Sequence, residues 1–184
     1  NTITMAAVDV ATAKGSVFSG GGANPVEYFS SDGPRRLFFK PVPSSLAITP
    51  NNTLFSTNGG TLLSKVDFTA ADGVSTTLPS STYLNPFYGT SAAAPHAAAI
   101  AALIKSAKPN ITLADLKAAL VAGSLDVTPK GNLATTGSGI IRADLAVKSV
   151  LSPIAVAKSF SVSSIAANGV SRLSLSLTNS NQIA

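Results

Sequence analysis

Between Ala92 and Ile104 the chain is almost wholly alanine, isoleucine and leucine, broken only by Pro95 and His96. A helix that is apolar on every face is buried on every face, so this segment predicts a central helix with protein all around it. Its alanines let neighbouring backbones approach closely, as a helix between a sheet and other helices requires. The run falls short of the roughly 20 residues needed to span a bilayer. Pro95 is tolerated most cheaply near a helix start, which places that start at about Ser91.

Composition agrees with a sizeable core. Of the 184 residues, 45% are hydrophobic and 11% are charged, the opposite of a disordered chain. The length suits one domain of ordinary size with something left over. The formal net charge of +5 comes from scattered basic residues. The densest pair is Arg35-Arg36, and no aromatics interleave with a basic stripe, which argues against nucleic-acid binding. With no cysteine there is no disulfide framework and no thiolate nucleophile, and the compartment stays open. Asn1 leads straight into a strand-like segment with no methionine, basic n-region or cleavage site. The expectation is a chain cut at its front.

Shorter segments surround the apolar helix. Thr2 to Val10 is apolar and β-branched and predicts a buried strand. Gly15 to Pro34 is turn-rich, with a short strand expected around Val26 to Phe29. Its Gly20-Gly21-Gly22 lacks a following Gly-Lys-Ser/Thr, so it reads as a plain loop and not a phosphate cradle. The apolar pieces LAIT at Leu46 and TLLS at Thr61 predict a small hairpin or a pair of edge strands. Lys65 to Thr69 predicts another strand, ended by a turn over Ala70 to Gly73.

Thr112-Leu113-Ala114-Asp115 has the form of a capping box. It predicts a second helix with Leu116, Leu120 and Val121 on its apolar face and Gly123 at its close. Gly137-Ser138-Gly139 predicts a turn before a short helix from Ala143 to about Val150. Beyond Pro153, Arg172 to Leu177 alternates with Leu173, Leu175 and Leu177 on one face, the pattern of a half-buried strand. Another strand is expected at Ser159 to Ile165. Two strands make no stable module alone, so this tail reads as the opening of a β-sandwich cut off at Ala184.

Chemistry concentrates where the apolar helix begins, in Gly89-Thr90-Ser91-Ala92-Ala93-Ala94-Pro95-His96. A serine hydroxyl is a weak nucleophile until a base takes its proton and donors await the oxyanion. A helix N-terminus favours negative charge through its dipole and its free N–H groups. Gly89 allows close approach of a substrate backbone, and Thr90 is placed to cap the helix. The plainer reading of the same residues is that Ser91 or Thr90 merely caps it.

Taken whole, the octet resembles the serine signature of the subtilisin-like (subtilase) peptidases, Gly-Thr-Ser-x-Ala/Ser-x-Pro-His followed by small residues. Ala97-Ala98-Ala99 stand where the family often has Val-Ala-Gly, and all three stay small. Ile3 to Asp9 and Phe29-Ser30-Ser31-Asp32-Gly33-Pro34 resemble the strand and the Phe-Ser-Ser-x-Gly-Pro motif that precede the signature. Lys65 to Val74 is similar to the family's Lys-Pro-Asp-Ile-x-Ala-Pro-Gly segment, with Val66 for the first proline and Ala71-Asp72 for Pro-Gly. Thr136 to Ala146 resembles the closing Gly-x-Gly and final helix.

The resemblance covers about residues 2 to 150. It implies an α/β fold, a partial subtilisin-like three-layer domain with a parallel sheet and a buried central helix from near Ser91, followed by a truncated all-β tail. The expected division is 1–151 for the C-terminal part of a catalytic domain and 152–184 for a linker and the first strands of an Ig-like β-sandwich. That tail is similar to repeats of bacterial surface proteins.

The resemblance further implies that Ser91 is the catalytic nucleophile of a serine endopeptidase acting through an acyl-enzyme. Gly89 and Thr90 would support substrate and oxyanion, while Pro95 and His96 would be structural residues of the motif. Helix geometry agrees that His96 is not the base. Five residues turn about 500°, about 140° away from the serine's direction, too far for the roughly 3 Å of a proton transfer. His96 is the single histidine of the chain.

In the family the triad order is Asp, His, Ser, so the Asp, the His and the oxyanion Asn are all expected ahead of residue 1. Asp9, Asp32, Asp67 and Asp72 precede Ser91 but none lies in the family's first-strand Asp motif, and Asn85 is not assigned to the oxyanion hole. The expectation is therefore an inactive fragment that requires the upstream half of the same catalytic domain as its partner. An isolated piece over residues 2 to 150 is expected to be poorly stable or aggregation-prone.

A second reading is a non-catalytic pseudo-peptidase serving as a surface adhesion or binding module. An α/β-hydrolase is excluded by its Gly-x-Ser-x-Gly elbow, because Ala93 stands where the last glycine is required. Subtilases often bind calcium, but the 8 Asp and Glu form no clustered carboxylate loop, and no cofactor is evident. The expected substrate is a protein or peptide, with no nucleic acid and no membrane span. The expected location is extracellular or on a bacterial cell surface.

Overall fold

The computed structural model describes residues 2–38, 60–129 and 133–181. In chain order the strands are β1 (Met5–Asp9), β2 (Gly21–Pro25), β3 (Arg35–Leu37), β4 (Thr61–Leu63), β5 (Phe68–Asp72), β6 (Ser124–Leu125), β7 (Val127–Thr128), β8 (Ile140–Ile141), β9 (Ala155–Phe160) and β10 (Leu173–Thr178). The helices are α1 (Thr90–Ala107), α2 (Leu113–Ala122), α3 (Leu133–Thr136) and α4 (Ala143–Lys148).

The central sheet has the order β1-β5-β8-β6. β1 and β5 pair in parallel, with Ala7 opposite Ala70 and Asp9 opposite Asp72. β8 continues the parallel run beside β5, and β6 closes it antiparallel. The middle of β1 and most of β5 are buried, as parallel strands covered on both faces usually are. The expected strand at Lys65 to Thr69 is displaced, starting at Phe68 and running through Asp72. Lys65 and Asp67 bond to each other instead, and Ala70 to Asp72 stay in register with β1. The turn falls at Gly73.

α1 lies on one face of the sheet, where Ala93 and Ala97 join Ala7, Ala70 and Phe68 in the main core. Small side chains on both surfaces bring helix and sheet backbones close together. Burial all round is corrected, however. Ala92, Ala93, Ala97 and Ile104 are buried, whereas Ala94, Ala98, Ala99, Ala102 and Leu103 are exposed. Among the described residues, the sheet, α2 and α4 cover one side of α1 and leave the other open. Val17, Phe18, Ala71, Ile100, Leu103 and Ile141 help to line an open hollow of about 540 Å³ along it.

α2 starts as its sequence predicts. The Thr112 hydroxyl accepts from the Asp115 N–H at 3.1 Å and donates to the Asp115 carboxylate at 2.8 Å. Its buried face is Ala119 and Leu120 with Leu116 packed beside them, while Val121 faces outward. α4 runs from Ala143 and stops two residues before Val150.

On the other face of the sheet a smaller cluster joins Val8, Val127 and Ile140 with Phe18, Val26 and Leu125. This face is reached by loops and the short β2–β7 pair, while α1, α2 and α4 hold the first. The strand expected at Val26 to Phe29 is instead β2, which ends at Pro25. The buried Asn24 side chain fixes it, accepting from the Ser19 and Gly20 N–H groups and donating to Thr12. Of the three glycines that read as a plain loop, Gly21 and Gly22 therefore enter a strand and Gly20 stays outside it. β4 forms the expected edge strand at Thr61, paired antiparallel with β3. The piece at Leu46 lies outside the described residues.

β9 and β10 form an antiparallel hairpin with Leu173 opposite Phe160 and Leu177 opposite Val156. The first strand begins at Ala155, earlier than the expected Ser159, because this register matches it to the alternating leucines. All residues of both strands are exposed. The expectation of half burial is thus corrected, since nothing among the described residues covers the leucine face. No helix among the described residues is long and apolar enough to cross a membrane.

Candidate active site

Parallel α/β sheets present their sites at the carboxyl ends of the strands. Here β5 ends at Asp72, the chain turns at Gly73, and a loop returns it to Gly89 and the start of α1. Val74 and Phe87 close the loop with reciprocal backbone bonds of 3.2 and 2.8 Å. Asn85 accepts from the Thr76 N–H at 3.2 Å and donates to the Leu78 carbonyl at 2.6 Å. Its amide is engaged within the loop.

Gly89 occupies the N-cap position with φ 112° and ψ 161°, a conformation that side chains disfavour and glycine adopts freely. Thr90, expected as the cap, is instead the first helical residue, and no side chain caps the helix. The Gly89 carbonyl accepts from the Ala92 and Ala93 N–H groups at 2.9 and 3.2 Å. The Thr90 and Ser91 N–H groups belong to the first turn, which has no intrahelical acceptors. Ser91 is exposed, so hydroxyl and N–H groups sit together at the positive end of the helix dipole.

Pro95 lies one turn inside α1. Lacking an N–H, it leaves the Ser91 carbonyl without its helical donor. The His96 ring turns back along the helix, its Nδ1–H donating to the Ala92 carbonyl at 2.8 Å. Among the described residues no hydrogen bond joins His96 to Ser91. The structure therefore brings together Gly89, Thr90 and Ser91, and leaves His96 directed elsewhere.

A feature that sequence reasoning passed over is the acidic group behind this turn. Asp72 is 0% exposed, and its Oδ2 accepts from the Gly89 N–H at 2.8 Å. Its Oδ1 is buried with no partner. Burial pushes this carboxyl up, the Gly89 N–H holds it down, and the neighbouring Asp9 charge pushes it up again, for a net rise. Glu27 is raised by burial and then by Asp72 and Asp9. The one signal in the sequence was Asp72 itself, a departure from the Pro-Gly of the resembled motif.

A model of the subtilase family matches residues 1–139, a span that includes β1, the Gly89 to His96 octet and the Gly137-Ser138-Gly139 turn. The chain belongs to the subtilase family. No curated protein and no solved structure matches it. In this subtilase chain the Phe29 to Pro34 motif has a visible task. Ser30 Oγ accepts from the Ala7 N–H at 3.0 Å, and Glu27 N–H donates to the Ala7 carbonyl at 2.8 Å, which closes the outer edge of β1 beside the core.

Among the described residues no three His, Asp or Glu side chains are grouped to hold a metal ion. The best-liganded carboxylate, Asp67, takes its bonds from Lys65, Lys117 and both the N–H and hydroxyl of Thr4. These donors tie β5 to the approach of β1 and to α2.

Burial alone would push the Asp67 carboxyl up, but Lys65, the Thr4 N–H, Lys117 and the Thr4 hydroxyl together hold it at about 2, against 3.8 for a free group. A lowered folded-state value means stability that is present above about pH 4 and lost as pH falls toward about 2, worth about 2 kcal/mol. In the native polypeptide, the urea midpoint of Asp67→Asn should therefore change less across this window than that of the wild type. Equal changes would remove Asp67 from the acid sensitivity.

Proposed function

We propose that this chain is the nucleophile-bearing part of a serine endopeptidase that cleaves peptide bonds through an acyl-enzyme on Ser91. The observation that carries the reading is the exposed Ser91 at the first turn of α1, within Gly89 to His96 and at the carboxyl end of the parallel sheet. In the proposed reaction a histidine takes the Ser91 proton as Oγ attacks the scissile carbonyl. The Ser91 N–H at the helix start then donates to the developing oxyanion. The protonated histidine gives its proton to the leaving amine, and water hydrolyses the ester.

The histidine, its aspartate and the oxyanion asparagine are proposed to come from segments ahead of residue 1. The orientation of His96 and the open apolar side of α1 support that reading, because further protein over that side would complete its burial. By itself the chain is then inactive. The exposed leucine face of β9 and β10 supports a second proposal, that residues 152–184 begin an Ig-like β-sandwich. An extracellular or cell-surface location follows from the secretion common in the family.

A fluorophosphonate probe applied to the native polypeptide, with the adduct located by peptide mass spectrometry, tests the reading. Labelling is expected at Ser91 and should be lost when the upstream histidine is replaced. A folded polypeptide without a Ser91 adduct would instead favour the non-catalytic adhesion or binding module.

A further inference from the structure

We propose that Asp72 is a positioning residue for Ser91: by holding the Gly89 amide it fixes the turn that delivers the nucleophile from the start of α1. The proposal rests on the peptidase reading above and adds a residue to it. Gly89 is gripped from both sides. Its carbonyl accepts from the Ala92 and Ala93 N–H groups, and its N–H is held by Asp72 Oδ2 at 2.8 Å. With no side-chain cap on the helix, this second bond ties the turn directly to the sheet.

Asp72 is well placed to act as an anchor. It is the last residue of β5, fully buried and in register with Asp9 of β1. A clamp rooted there moves with the rigid sheet and not with the loop from Val74 to Tyr88. A single residue, Thr90, separates the clamped amide from the nucleophile, so slack in the bond passes directly to Ser91 Oγ. Misplacement of a reacting atom by about 1 Å can cost on the order of 10²-fold in rate.

The surroundings also make the clamp sensitive to pH. Asp9 from β1 and Glu27 from the segment after β2 are its charged neighbours: burial and then the Asp9 charge raise Asp72, and burial, Asp72 and Asp9 raise Glu27. The Tyr88 ring lies beside Gly73, and the first turn of α1 has no acidic residue. An ionised carboxylate makes the stronger, charge-assisted bond to the amide. Because burial and Asp9 raise this group above the ordinary aspartate range, the clamp weakens on acidification earlier than an exposed aspartate would.

The test is the kinetics of fluorophosphonate labelling at Ser91 in the native polypeptide, resolved into probe affinity and the maximal rate of adduct formation. Asp72→Ala removes the acceptor and should lower the maximal rate by about 10-fold to 10²-fold with probe affinity little changed. Asp72→Asn keeps an oxygen for the Gly89 N–H and should recover most of that rate. It should also remove one proton from the acid limb of the rate profile.

A folded Asp72→Ala protein that labels at the wild-type rate would overturn the proposal. Should Asp72→Ala fail to fold, the Asn variant decides: an acid limb unchanged from wild type overturns the proposal, and a shallower one supports it. A wild-type polypeptide with no Ser91 adduct would overturn both this proposal and the peptidase reading. An adduct whose rate ignores residue 72 overturns this proposal alone.

Discussion

Ser91→Ala in the native polypeptide is expected to lower peptide hydrolysis by at least about 10⁴-fold, the scale found when nucleophiles of other serine peptidases are removed. Folding should be untouched. Ser91 is exposed, the helix start is held by Gly89 and Asp72 and not by the serine hydroxyl, and alanine is the best helix former. Loss of activity with an unchanged melting curve would place the defect in the chemistry. Turnover reduced by less than about 10-fold would mean that Ser91 is not the nucleophile, since binding and the remaining donors cannot replace an acyl-enzyme.

Gly139→Ala is expected to have a large effect on stability, about 3–5 kcal/mol from backbone strain and overpacking together. Gly139 has φ 99°, and a Cβ there would stand 2.0 Å from the Leu125 carbonyl oxygen. That oxygen belongs to the β6 backbone and has no flexible end to move aside. On the other side, the Gly139 carbonyl accepts from the Thr69 N–H of β5 at 2.8 Å. A methyl group therefore drives β6 away from the sheet or breaks the bond to β5. Against a total stability of about 5–15 kcal/mol, much of the margin disappears. Soluble yield and thermal melting of the native polypeptide check this; a melting temperature within about 2 °C of wild type would show that the backbone gives way.

Local features survived folding where their causes are local. Thr112 and Asp115 form their cap because both partners lie within one turn, and the apolar run after Ser91 becomes a helix because nothing but Pro95 opposes it. The helix start within the Gly89 to His96 octet was legible for the same reason, since glycine, serine and the helix start are adjacent in the chain. Strand limits were less legible. β5 slides to Asp72 because of its register with β1, more than fifty residues away in sequence, and β2 forms at glycines because Asn24 reaches back to Thr12.

By itself the sequence determined the α/β character, the helix at Ser91 and the membership of the subtilase family. Those follow from residue type and short spacing. Tertiary structure alone decided that α1 buries one side and leaves the other open, and that Asp9 and Asp72 face each other at the strand ends. It also decided that the Asp72 carboxylate holds the Gly89 amide at the start of α1. These depend on strand pairing and on the electrostatics of burial, which arise between residues that the chain keeps far apart until it folds.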